Sequence, residues 1–259
     1  MTALNVVLKR DRAILMTDAA CYDGSGEILG IGQKAVAIPA IKAAIACRGA
    51  LKLTALLAME LSITFDSFDQ LLAKGPEFFS RWVETIGDAL ALGTENDVSR
   101  LHGVEMVVVG WSDALNKPMG FFFATTTDEG FQMIDDWAFG PMPTDEEDAN
   151  LHKIGCEMER DITAANFDPV RHGIPTMEAQ RRMKIIPPSS DLDTGISIVG
   201  GHILLTEVTE HGVEQRVIHR WKDQLHQPIV PAPFLYDAAV GESGLSRAER
   251  RRMAKVGRR

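Results

Sequence analysis

The chain has 259 residues, of which 45% are hydrophobic and 24% charged, a globular composition that excludes a disordered or fibrous bulk. Its formal net charge is −9, but residues 246–259 hold seven Arg or Lys against one Glu, which leaves the preceding body at −15. An acidic body of that kind is a poor nucleic-acid surface.

Residues 4–8 (LNVVL) and 13–16 (AILM) predict two strands joined by the polar turn KRDR. Thr17, Asp18 and CYDGSGEILG read as loop, since Asp23-Gly24 and Ser25-Gly26 supply turn chemistry. A second strand pair is expected at 34–38 and 42–47, with Pro39 between. After Gly49 the apolar spacing turns helical through Leu53, Leu56, Leu57 and Leu61. A second helix is expected from Pro76 to Leu92, with Pro76 at the first helical position and Phe78, Phe79, Trp82, Val83, Ile86 and Leu90 as its stripe.

Strands return at 104–111, 119–126 and 131–139. Thr144 followed by DEED predicts a helix start, because carboxylates there oppose the positive end of the helix dipole. A further helix is expected over Pro175 to Ile186, then strands at 196–199, 202–208 and 213–221. This α+β order predicts two face-to-face sheets with a helical layer outside each, in a body of residues 1–227. Residues 228–259 read as a C-terminal extension with a basic tail.

The longest apolar stretches, 35–47 and 53–65, are broken by Lys42 and Glu60 and are too short to span a bilayer, so no membrane partner is expected. Charges in MTALNVVLKRDRAI fall where a signal peptide needs its apolar centre. Cys21, Cys47 and Cys156 are widely spaced and form no CxxC pair, so neither a disulfide scaffold nor a zinc site is expected. A reducing cytoplasm fits these features. The seven histidines form no metal-spaced pair, and no P-loop, GxGxxG, GxSxG or HExxH motif occurs, so neither metal nor cofactor is expected.

Four residues stand in a register that resembles another set. Asp18 lies 16 positions after Thr2, Lys34 lies 32 after it, and Gly49 lies 47 after it, each in matching local context. In this the chain resembles the proteasome β subunits and bacterial proteasome-like protease subunits of the Ntn-hydrolase superfamily. The resemblance implies a four-layer αββα sandwich, with Thr2 as nucleophile once Met1 is removed. It implies that the freed amine of Thr2 acts as base, that Lys34 lowers proton affinity at the nucleophile, and that Asp18 orients Lys34. The Gly49 amide would face the developing oxyanion, a contribution of about 3–4 kcal/mol.

The implied activity is that of an N-terminal-threonine amidohydrolase, a peptidase acting on a peptide or amide substrate within a self-assembled oligomer. SIVGGHILLTEVTEHG resembles the late hairpin of that family, with Gly200-Gly201 opening a strand. In that register the supporting Asp and Ser of the family fall on Ile196 and Val199, and a third supporting Ser falls on Pro141. A shifted register would use Asp191 and Thr194. These departures define the alternative: a catalytically inactive, proteasome-like structural subunit of a larger assembly. A small-molecule amidase is a further possibility. The basic tail 246–259 is expected to steer association with an acidic partner.

Overall fold

The computed structural model of the chain describes residues 2–48, 51–91, 104–124, 130–153, 162–186 and 195–232. Strands β1 (Leu4–Leu8) and β2 (Ala13–Thr17) form the expected hairpin, with Leu4 opposite Thr17. Both are buried along their whole length, so apolar side chains point to either face. They join β10 (Trp137–Gly140), β11 (His202–Thr209) and β12 (Gly212–Arg220) in an antiparallel sheet ordered β10-β1-β2-β11-β12.

The second five-stranded sheet is ordered β5-β6-β7-β8-β9, from β5 (Ala35–Ile38), β6 (Ala43–Arg48), β7 (Glu105–Ser112), β8 (Lys117–Ala124) and β9 (Phe131–Met133). Leu15, Leu204 and Val208 of the first sheet pack with Ala44, Val107 and Val109 of the second in one core cluster. Leu15 is wholly buried, and a buried leucine is worth about 1.5–3 kcal/mol over an exposed one.

Helices α1 (Leu51–Thr64) and α2 (Phe68–Ala91) pack on the second sheet through Leu57, Leu61 and Phe79 against Ile45, Val108 and Phe121. Pro76 lies inside α2 rather than at its start. The helix forgoes one backbone hydrogen bond there, while Phe79 meets Phe121 and Phe123 at 5.5 and 5.4 Å between ring centroids. The acidic helix start is found as α3 (Asp145–Lys153), where Thr144 and Glu147 exchange capping-box hydrogen bonds.

The expected four-layer αββα sandwich is corrected by this architecture: the described residues form three antiparallel sheets and four helices. Three local departures account for the difference. CYDGSGEILG, read as loop, pairs as a separate ribbon of β3 (Ala20–Tyr22) and β4 (Ile28–Ile31). The expected strand 131–139 breaks at Ile134–Asp136, so β9 pairs with β8 while β10 pairs with β1 in the other sheet. The expected strand 196–199 has only an isolated bridge between Ile196 and Ile185.

The outer face of the first sheet is therefore covered by a mixture of elements. Phe167, a π-helical turn (Pro169–Gly173), the nine-residue α4 (Ile174–Arg182) and irregular chain at 195–201 share that cover, with Phe167, Met177, Ile198 and Val199 buried against β1, β2 and β11. Residues 228–232 stay on the body, with Ile229 buried beside Ala20 and Ile28. The tail 246–259 lies outside the described residues. Among the described residues no helix is long and apolar enough to cross a membrane.

Candidate active site

The β1–β2 register places Thr2 and Ala3, which precede β1, beside Asp18 and Ala19, which follow β2. Lys34 enters from the other sheet, one residue before β5. Thr2, Asp18 and Lys34 are all buried, at 5%, 0% and 3% exposure. Burial decides the reading of Lys34, since an ammonium is kept from water only when paired.

The Lys34 ammonium donates to both carboxylate oxygens of Asp18, each at 2.9 Å. Asp18 Oδ1 also accepts from the Ala3 amide at 3.0 Å, and Oδ2 accepts from the amides of Gly200 at 3.2 Å and Ala20 at 3.3 Å. Three backbone donors thus fix the carboxylate from three segments, and Lys34 neutralises it.

The peptide unit joining Thr2 to Ala3 is held at both ends. Its N–H is the donor to Asp18, and its carbonyl accepts from Arg48 Nε at 3.0 Å. Arg48 ends β6 and is anchored in turn by Glu105 of β7, with Nη1 donating to Oε2 at 2.5 Å. The Thr2 backbone is therefore set by one anion and one cation, from opposite sides.

Other titratable groups respond to this cluster. Burial pushes the His202 imidazole down from its ordinary value, and Arg220 pushes it the same way, while Asp18 opposes them. His202 Nδ1 is buried without a hydrogen-bond partner. Burial raises the Tyr22 hydroxyl and Asp18 adds to the rise, with Arg48 opposing. Burial likewise raises the Cys21 thiol, against the pull of Lys34.

Of the four residues that carry the resemblance, Thr2, Asp18 and Lys34 come together. Gly49 lies outside the described residues, as do Asp191, Thr194 and Cys156. Val199 is buried in the core, and the partly buried Ile196 packs against it. Arg48, Gly200 and His202 were not singled out as site residues. For Arg48 the one available signal was its place immediately before Gly49; for Gly200 it was the Gly-Gly pair opening a strand. Among the described residues no group of three or more His, Cys, Asp or Glu is placed to hold a metal.

With this geometry in hand, no family model and no curated protein was found to match the chain.

Proposed function

We propose that the protein is an N-terminal-threonine amidohydrolase, exposing the Thr2 amine after loss of Met1 and acting on peptide or amide substrates. The observation that carries this reading is the buried Asp18–Lys34 pair whose shared oxygen, Oδ1, also binds the amide next to Thr2. The positive charge of Lys34 favours the deprotonated hydroxyl of Thr2, and the α-amine of the same residue, ordinarily near pKa 8, takes its proton.

Attack of the Thr2 oxygen on an amide carbonyl gives an acyl-enzyme and frees the amine product, which takes up the proton held by the α-amine. Water then releases the acyl group and returns the proton to Thr2. The resemblance described above adds a self-assembled oligomer to this proposal and gives Gly49 as the oxyanion donor, while the spacing of the cysteines and the charged N-terminal stretch suit a cytoplasmic setting. The test is hydrolysis of a panel of short chromogenic peptide amides by protein lacking Met1, with Lys34→Ala as control. Turnover lost in Lys34→Ala supports the reading, and equal turnover in both sinks it.

One observation favours the alternative, a structural subunit without turnover. Ile196 and Val199 stand where the resembled family has polar support for the terminal amine, and their side chains pack with the core. Complete inertness of protein lacking Met1 toward both amides and β-lactones is the result that reading requires.

A further inference from the structure

Helix α4 ends in two arginines with different surroundings. Arg181 is buried at 3% exposure, and a buried guanidinium requires partners. Its partner is Asp223, beyond the end of β12, bound as a two-pronged fork: Nη2 to Oδ1 at 2.5 Å and Nη1 to Oδ2 at 2.9 Å. Arg181 Nη1 also donates to the Val199 carbonyl at 2.7 Å and Nη2 to the Val230 carbonyl at 3.3 Å, and its guanidinium lies 4.9 Å from the centre of the Trp221 ring. Asp223 Oδ2 accepts from the Gly201 amide at 2.7 Å.

The pair thus grips the chain on both sides of Gly200, by the carbonyl before it and the amide after it. Gly200 itself spends its amide on Asp18, and its carbonyl accepts from the amides of Ala19 and Ala20, both at 3.0 Å. A side chain has no room here: a Cβ on Gly200 would lie 2.7 Å from Asp223 Oδ2 and 3.0 Å from Arg181 Nη1. Gly201 has φ +77, a backbone conformation that favours glycine. Two apolar residues of similar volume could replace an ordinary buried ion pair at little cost. They could not satisfy the backbone groups of Val199, Gly201 and Val230 that this pair serves.

We infer that Arg181 and Asp223 are positioning residues that hold the Gly200 amide against Asp18 and so fix the carboxylate for Lys34. The consequence for reactivity rests on the amidohydrolase reading; the consequence for the Gly200 amide does not. Asp223→Asn keeps the shape but cannot accept through two oxygens, and the double change Arg181→Met with Asp223→Leu removes both charges together, should the single variant not fold.

The experiment uses the full chain lacking Met1, a β-lactone acylating probe, and amide hydrogen exchange read by NMR. Asp223→Asn is expected to lower the limiting acylation rate at Thr2 by about tenfold or more, with the concentration dependence unchanged. The Gly200 amide should exchange faster while the Val108 amide in β7 does not. Whichever variant folds must show this local pattern, and a wild-type acylation rate with wild-type Gly200 exchange overturns the inference. If the unmutated protein is not acylated, the amidohydrolase reading fails by itself and exchange alone decides: faster Gly200 exchange in the variant upholds the pair's role, and unchanged exchange overturns it.

Discussion

Lys34 sets its ammonium 2.9 Å from each carboxylate oxygen of Asp18, with both side chains shut off from water. Lys34→Ala therefore does two things. It removes the proposed charge beside Thr2, and it leaves a buried carboxylate with backbone donors alone. Loss of one partner of such a pair costs about 3–5 kcal/mol, so the urea midpoint should fall clearly and acylation of Thr2 should vanish. Lys34→Arg should also fail, because a planar fork is no substitute for a compact ammonium. A Lys34→Ala protein as stable as the parent would contradict the buried pairing.

Arg48 holds the Thr2 carbonyl and Glu105 holds Arg48. Glu105→Gln should leave the fold intact but free the guanidinium to swing. Since a misplacement of about 1 Å can cost a hundredfold in rate, acylation should slow by about tenfold to a hundredfold. The rate constant for β-lactone modification checks this, and an unchanged value would show that Arg48 needs no anchor.

Asn5 on β1 and Gln180 on α4 exchange amide hydrogen bonds, Nδ2 to Oε1 at 2.9 Å and Nε2 to Oδ1 at 2.7 Å, in a site closed to solvent. Truncating either to alanine strands its partner and should cost about 1–3 kcal/mol. The double truncation should cost less than the sum. A denaturation cycle over the four proteins measures the coupling, and strict additivity would refute it.

His202 gives a pH dependence of defined sign. Its folded-state proton affinity is lowered, chiefly by burial. The unfolded chain then binds more protons than the folded one as pH drops below about 6.5. This contribution to stability is present above that pH and is lost as pH falls toward the folded-state value. His202→Gln should flatten the slope of unfolding free energy against pH in that window. An identical slope in both proteins would rule out His202 as its source.

Thr2, Asp18 and Lys34 stood out in the sequence through a family resemblance, and the β1–β2 hairpin alone brings two of them together. Strands β7 and β8 were legible too, from apolar runs on either side of a polar turn. Arg181 and Asp223 were not: their burial depends on how α4 meets the chain beyond β12, and each alone looks like an ordinary surface charge. The β3–β4 ribbon was hidden by Gly24, Gly26 and Gly30, which announce turns but also serve a short ribbon. The stretch from Phe131 to Phe139 kept a strand's composition throughout, and only tertiary pairing divides it between two sheets at Asp135-Asp136.

The most direct test of the central proposal is the intact mass of the native protein before and after a β-lactone, followed by peptide mapping. The expected result is a chain lacking Met1 and a single acyl group on Thr2, absent in Lys34→Ala. A chain that keeps Met1 and carries no adduct on Thr2 would contradict it.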